Sequence, residues 1–185
     1  MWLKFTTLFA FLATISLSGA YNITANIMTG IPSTLDITNI TGRFQKIGTR
    51  FYIFERNIHL NWYAAYIACR KMKAYLVAFD NHDEMNQVIN HMKNHNLYIR
   101  DKGYWTSGTD LYIQWKHVWF STGRNVTKDV WSKGQPDGRD DTVRCDMLDL
   151  DARYTNGLDD QPCITKLPFI CHRASKPRTA TFIIF

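Results

Sequence analysis

Oxygen-bearing side chains occur in two short segments of the second half of the sequence. Gln135-Pro136-Asp137 forms the first segment, and Asp159-Asp160 lies 22 residues after Asp137. Carboxylate and amide oxygens are hard ligands, and Ca²⁺ binds several of them in flexible geometry. The two segments therefore have the composition of a calcium site. A solvated pair of polar loops is the alternative that the spacing leaves open.

Four cysteines are available to hold these segments together. They are Cys69, Cys145, Cys163 and Cys171. In an oxidising compartment an even number of cysteines indicates two disulfides, and the sequence alone allows three pairings. A zinc site is a weaker alternative, because no two of the cysteines have C-x-x-C spacing. A catalytic cysteine would leave an odd thiol among the other three.

The first 20 residues have the pattern of a secretory signal peptide. Lys4 supplies a basic start, residues 5–17 are apolar, and Ser18-Gly19-Ala20 provides the small residues of a cleavage site. The apolar stretch is too short to anchor the chain in a membrane. We therefore predict a secreted, extracellular protein. Three N-x-T sequons agree with secretion and are predicted glycosylation sites: Asn22, Asn39 and Asn125.

Composition and charge exclude several classes of protein. The chain has 185 residues, of which 45% are hydrophobic, 14% aromatic and 21% charged, as is typical of a globular domain. The net charge is +6, but the basic residues are scattered, so nucleic acid is not a predicted partner. After the leader, no apolar window is long enough to span a membrane. No nucleophile elbow, phosphate-binding loop or dinucleotide fingerprint occurs, so we do not expect an enzyme.

Hydrophobic periodicity predicts the elements that position these residues. Residues 43–56 are predicted as a hairpin or two short strands. Asn61 caps a helix over 60–73 that turns Cys69 toward the core, and a second helix follows over 82–95. The fold class is α+β, with two helices, small antiparallel sheets and a long loop region. Strands are predicted near 75–79, 103–106, 117–121, 145–149 and 167–172, and long loops over 122–142 and 151–162.

Several motifs along the chain share their order with one family of secreted domains. They are Leu60-Asn61-Trp62-Tyr63, Tyr104-Trp105-Thr106-Ser107-Gly108, Val118-Trp119-Phe120-Ser121-Thr122-Gly123, Trp131 with Gly134-Gln135-Pro136-Asp137, and Pro168-Phe169-Ile170-Cys171. In this order the chain resembles the C-type lectin-like domain, and in particular the short secreted single-domain lectins of insects. The resemblance implies the disulfides Cys69–Cys171 and Cys145–Cys163. It divides the chain into a signal peptide (1–20), an N-terminal arm (21–42), the domain (43–173) and a C-terminal tail (174–185).

The resemblance also implies a sugar-binding calcium site. In this family the same side chains coordinate Ca²⁺ and hydrogen-bond two neighbouring sugar hydroxyls. Gln135 and Asp137 match the first pair of ligands, in the order associated with galactose-type sugars, and Asp159 and Asp160 match the second pair. The family's glutamate ligand, two residues before the first cysteine of the short disulfide, is replaced here by Val143. We therefore expect one weakened calcium site.

Two functions remain open at this level. The first is a calcium-dependent lectin of the galactose type that recognises glycans on glycoproteins or microbial surfaces in innate immunity. The second is a calcium-independent module that recognises proteins or other ligands on the same fold. Val143, which offers no ligand oxygen, is the reason to consider the second function. Gly138 and Arg139 leave the galactose preference open, because galactose-type members often place an aromatic residue just after the motif.

Overall fold

A computed structural model of the chain describes residues 43–98, 103–150 and 156–174. The predicted signal peptide and N-terminal arm, with Asn22 and Asn39, lie outside these residues, as does the tail beyond 174. Asn125 is exposed, as a glycosylation site must be. None of the helices in the described part of the chain has the length and apolar character that a membrane span needs.

Both predicted helices are present, and each begins at an asparagine cap. Helix α1 comprises Trp62–Lys71 and helix α2 comprises His82–Asn94. The side chains of Asn61 and Asn81 each accept a hydrogen bond, at 2.9 Å, from the backbone amide three residues later. These bonds satisfy amides that a helix leaves unpaired at its first turn. The apolar face of α2 packs into the core through Met85, Val88, Ile89 and Met92.

The strands of the described residues form one hydrogen-bonded sheet. The main order is β1-β2-β8-β4-β6-β7, with β3 paired to β8 and β5 paired to β4. The described pairs are antiparallel apart from β4 and β8, which run parallel. The α+β class is confirmed, and the expected small sheets join because β8 pairs with both β2 and β4. The strands are β1 (Gln45–Ile47), β2 (Arg50–Leu60), β3 (Tyr75–Leu76), β4 (Tyr104–Thr109), β5 (Val118–Trp119), β6 (Val143–Asp149), β7 (Gly157–Pro162) and β8 (Leu167–Ala174).

Strand β7 lies where the sequence predicts a loop. Its residues, Gly-Leu-Asp-Asp-Gln-Pro, have no strand pattern of their own. It becomes a strand because β6 pairs with it, with Asp146 opposite Asp160 and Met147 opposite Asp159. Tertiary pairing here overrides local propensity. The two candidate acids, Asp159 and Asp160, are therefore held on a strand instead of in a loop.

The structure contains both disulfides that the resemblance implies. Cys69–Cys171 joins α1 to β8, and Cys145–Cys163 joins β6 to the residue after β7. All four cysteines are therefore paired, which excludes a free catalytic thiol. The second disulfide ties together the two strands that carry or flank the candidate site residues.

Candidate functional site

The two oxygen-bearing segments meet at Asp160. Its Oδ1 accepts a hydrogen bond from the backbone amide of Asp137, and its Oδ2 accepts one from the amide of Gly138, both at 2.9 Å. Asp160 is 1% exposed, and the Gln135–Pro136 peptide bond is cis. One carboxylate on β7 thus fixes the backbone of the Gln-Pro-Asp loop, although the two segments are far apart in sequence.

Backbone contacts also hold the loop before the motif against β7. The amide of Ser132 donates to the carbonyl oxygen of Leu158, and the amide of Gln135 donates to the carbonyl oxygen of Ser132, both at 3.0 Å. A Cβ added to Gly157 would lie 2.4 Å from the backbone nitrogen of Ser132. Gly157 therefore allows the loop and the strand to approach each other closely.

Two oxygen acceptors at this site lack a hydrogen-bond donor. Gln135 Oε1 and Asp159 Oδ1 are buried and have no partner among the described residues. The other Asp159 oxygen, Oδ2, accepts a hydrogen bond from Gln161 Nε2 at 2.9 Å. Burial raises the pKa of Asp159 to about 6. Because buried polar atoms are nearly always paired, two unpaired acceptors mark a place where a cation or an external donor can bind.

Arg139 brings a positive charge to the same site. Its Nε donates to Asp137 Oδ2 at 2.8 Å. The hydrogen bond to Asp137, with the charges of Asp137, Asp159 and Asp160, raises the pKa of Arg139 above its ordinary value. Its side chain is 63% exposed, so water weakens the ion pair. The sequence prediction assigned this residue no electrostatic role, although its position two residues after Asp137 allowed the contact to be foreseen.

Val143 supplies no oxygen to the site, and its neighbours in sequence do not replace it. Val143 lies on β6 and is 7% exposed. Asp140 Oδ1 accepts hydrogen bonds from the backbone and hydroxyl of Thr142, at 2.7 and 2.5 Å. Asp141 Oδ1 accepts from Gln114 Nε2 at 3.2 Å. Asp140 is thus engaged within its own loop, and Asp141 is engaged with Gln114 of a neighbouring loop.

The donor set fits Ca²⁺ in its chemistry but does not form a closed cage. Carboxylate and amide oxygens are the ligands that Ca²⁺ prefers, and two such oxygens are unpaired here. The carboxylates of Asp137 and Asp160 already accept hydrogen bonds. Across the described ranges, no three histidine, cysteine or carboxylate side chains are grouped to hold a metal. The site thus has oxygens of the kind that Ca²⁺ prefers, but fewer unpaired oxygens than a closed calcium site offers.

A buried ionic cluster lies behind the site, and the sequence analysis did not predict it. His117 Nδ1 lies 2.8 Å from Asp146 Oδ1, and His117 Nε2 lies 3.9 Å from Asp110 Oδ2. Arg144 Nε donates to Asp110 Oδ1 at 2.5 Å. Burial lowers the pKa of His117, but Asp146 and Asp110 outweigh burial and raise it. Burial raises the pKa of Asp146 to about 6. No local pattern signals contacts between residues so far apart in sequence.

Comparison with known sequences identifies relatives over most of the chain. Residues 58–173 match the family model for the lectin C-type domain. C-type lectin 37Da of Drosophila melanogaster is 29% identical over 172 residues, which cover 88% of this chain and 87% of that protein. Salivary C-type lectin 1 of Aedes albopictus is 23% identical over 142 residues, which cover 75% of this chain and 93% of that protein.

Solved structures share the fold. The mouse scavenger receptor C-type lectin carbohydrate-recognition domain has a TM-score of 0.60 and 20% identity, covering 73% of this chain and 96% of that domain. Herring type II antifreeze protein has a TM-score of 0.58 and 20% identity, covering 72% of this chain and 98% of that protein. At these identities the likeness concerns the fold alone. The lectin relatives and the family model support the prediction of a binding domain rather than an enzyme.

Proposed function

The chain belongs to the C-type lectin domain family, and on that premise we propose that it is a carbohydrate-binding lectin. C-type lectin domains generally bind Ca²⁺. The proposed site consists of Gln135, Asp137, Asp159 and Asp160, which hold one Ca²⁺ and a galactose-type sugar. We further propose that residues 1–20 are removed on secretion and that the ligands are glycans on glycoproteins or microbial surfaces.

The contact that carries this proposal is the pair of hydrogen bonds from the motif loop to Asp160. These bonds join the amides of Asp137 and Gly138 to the acid on β7. They connect the Gln-Pro-Asp segment directly to the Asp159-Asp160 segment on β7, whereas the alternative left by the spacing was a solvated pair of separate loops. Their convergence, with unpaired acceptors on Gln135 and Asp159, supports a single ligand site.

The proposed residues suit sugar hydroxyls, each of which both donates and accepts a hydrogen bond. The carboxylates of Asp137 and Asp160 accept from hydroxyl groups, whereas the amide of Gln135 can accept through Oε1 and donate through Nε2. Bound Ca²⁺ would supply a cation to which two neighbouring sugar hydroxyls add as ligands. The burial of Asp159 and Asp160, at 8% and 1% exposure, strengthens such polar contacts by excluding water.

A glycan array tests the proposal. The mature chain, residues 21–185, is applied in millimolar Ca²⁺ and again in EDTA, beside the variants D137A and D160A. D83A is the matched control, because Asp83 is an exposed acid on α2 and lies outside the motif loop. We expect binding in Ca²⁺ that EDTA removes, loss of binding in D137A and D160A, and retention in D83A. Unchanged binding by both site variants, with their fold intact, would rule out the site.

Two observations favour the calcium-independent alternative. Val143 contributes no oxygen, and Arg139 already places a cation beside Asp137. If this alternative holds, glycan or protein binding survives EDTA, and R139A weakens binding more than calcium removal does. The EDTA arm of the array therefore separates the two functions.

A further inference from the structure

An exposed indole lies directly on the loop that follows the motif. Trp115 is 57% exposed. A Cβ added to Gly138 would nevertheless lie only 2.2 Å from Cη2 of the Trp115 ring. Gly138 has φ +48°, where a side chain would be strained even without the ring. The glycine thus makes room for the indole, which covers the backbone immediately after Asp137.

The backbone of Trp115 is itself in the left-handed region, at φ +68°. A bulky residue is rare in this region, and glycine adopts it without steric cost. Such strain persists only where the surroundings enforce it, and it is concentrated at functional sites. The backbone geometry of this position favours glycine. The presence of tryptophan therefore points to a role for the ring rather than for the turn.

Hydrogen bonds fix the loop that presents the ring. Asp110 Oδ2 accepts from the amide of Trp115 at 2.6 Å. The amide of Lys116 donates to the carbonyl oxygen of Ile113 at 3.0 Å, and Gln114 Nε2 donates to Asp141 Oδ1 at 3.2 Å. The last bond ties this loop to the loop that carries the motif. A ring held in this way loses little conformational entropy when a ligand covers it.

The chemistry of the neighbouring site identifies what the ring contacts. A pyranose has hydroxyl groups at its rim and a face of C–H bonds, so it needs polar partners at one side and an apolar surface at the other. Gln135 and Asp137 supply polar groups. Trp115 supplies a large, flat apolar surface that lies against Gly138, the residue after Asp137. We propose that Trp115 is a ligand-contacting residue that packs its indole against the apolar face of the bound sugar. This inference rests on the proposed function and deepens it.

Paired variants separate the role of the ring from the role of the turn. W115G removes the ring and suits the left-handed backbone, so its thermal midpoint should equal or exceed that of the wild type. W115F keeps an aromatic ring. F120A is the matched control, because Phe120 is 54% exposed but contacts Trp62 and Tyr66 instead of the motif loop.

Isothermal titration with the glycan that binds the wild type most strongly gives the main readout. We expect the dissociation constant to rise about tenfold in W115G, to rise less in W115F and to stay unchanged in F120A. Acrylamide quenching gives a second readout, because Trp115 is the most exposed of the described tryptophans. Bound glycan should protect the wild-type fluorescence from acrylamide.

The outcomes distinguish this inference from the function on which it rests. If D160A abolishes binding while W115G binds as the wild type does, Trp115 is not a ligand contact and the lectin proposal stands. If the wild type binds no glycan, both proposals fail. If W115G loses a protein partner but no glycan, the ring belongs to a protein interface and the sugar contact is overturned.

Discussion

One buried carboxylate in the half that bears the helices differs in its hydrogen bonding from two buried carboxylates in the half that bears the loops. In the half that bears the helices, Glu55 is 3% exposed, and Arg43 Nη2 donates to both of its oxygens at 2.7 Å. In the half that bears the loops, Asp146 and Asp159 each keep one buried oxygen without a hydrogen-bond partner among the described residues. The carboxylate of Glu55 is thus paired by the fold itself. In the second half two carboxylates keep an unpaired oxygen, and one of these oxygens, Asp159 Oδ1, belongs to the proposed site.

This difference identifies which half is built for stability and which for binding. An unpaired buried acceptor lowers the free energy of unfolding by about 1–3 kcal/mol, and the rest of the fold must offset that cost. Cys145–Cys163 and the pairing of β6 with β7 provide such support directly around Asp146 and Asp159.

The largest expected effect is on the ionic cluster behind the site. D146A removes the carboxylate at 2.8 Å from His117, which is 7% exposed, and leaves that histidine buried without its partner. We expect the free energy of unfolding to fall by about 3–5 kcal/mol. The matched variant E55A leaves Arg43, which is 45% exposed and can turn to water, so about 1 kcal/mol is expected. Urea denaturation measures both, and a smaller loss for D146A than for E55A would contradict the comparison.

Acid should destabilise the half that bears the helices through His172, which lies on β8 opposite Tyr52 of β2 and Tyr75 of β3. Burial lowers the pKa of His172 to about 4, and its Nδ1 accepts a hydrogen bond from the amide of Ala78 at 3.2 Å. Between pH 6.5 and 4 the unfolded chain therefore binds a proton at His172 that the folded chain does not. The neutral histidine thereby contributes about 3 kcal/mol to the free energy of unfolding. This contribution is complete above pH 6.5 and is lost as the pH falls toward 4.

The variant H172Q isolates this contribution. Between pH 7 and pH 4.5, the free energy of unfolding should fall more steeply for the wild type than for H172Q, as measured by urea denaturation. The control is H95Q, because His95 is exposed on the surface. Asp146 acts in the opposite direction, since its raised pKa means that the folded chain gains protons as the pH falls through 6. Equal pH slopes for wild type and H172Q would disprove the assignment to His172.

A smaller effect is expected from restoring an acid at position 143. V143E places a carboxylate on β6, next to the strand that carries Asp159 and Asp160. Calcium affinity depends on the number of charged ligands, so we expect the calcium dissociation constant to fall about tenfold. V143Q is the matched control, because it adds an oxygen without a charge. Calorimetric titration with calcium alone measures all three chains, and an unchanged constant in V143E would place residue 143 outside the site.

The smallest effect is expected from Arg139. R139Q removes the guanidinium that donates to Asp137, and with it a positive charge that competes with Ca²⁺. Because the side chain is 63% exposed, we expect only about a threefold gain in calcium affinity. R124Q is the control, since Arg124 forms an exposed ion pair with Asp80 away from the motif loop. Weaker calcium binding in R139Q would mean that Arg139 supports the site.

Local signals predicted part of this architecture. Apolar periodicity was enough to place both helices, and the cap at Asn61 marked the start of the first, because these signals lie within or beside each helix. Strand β7 was missed because its Gly-Leu-Asp-Asp-Gln-Pro sequence becomes extended only by pairing with β6. The pattern of one segment contains no information about such a partner.

The candidate site was predictable in composition but not in contacts. The motif order named Gln135, Asp137, Asp159 and Asp160, and their roles remain a prediction. The position of Trp115 on Gly138 depends on two loops that meet only in the folded chain. The same holds for the contact of His117 with Asp146. Residues that act across such distances have no periodic signature in the sequence.

The most direct test of the central claim is the thermal midpoint of the mature chain in millimolar Ca²⁺ and in EDTA, measured beside D160A. If Ca²⁺ completes the unpaired acceptors Gln135 Oε1 and Asp159 Oδ1, it stabilises the folded state by mass action, by roughly 2.7 kcal/mol at a hundred times its dissociation constant. We predict a higher midpoint in Ca²⁺ for the wild type and no shift for D160A. Identical midpoints for the wild type in Ca²⁺ and in EDTA would contradict the claim.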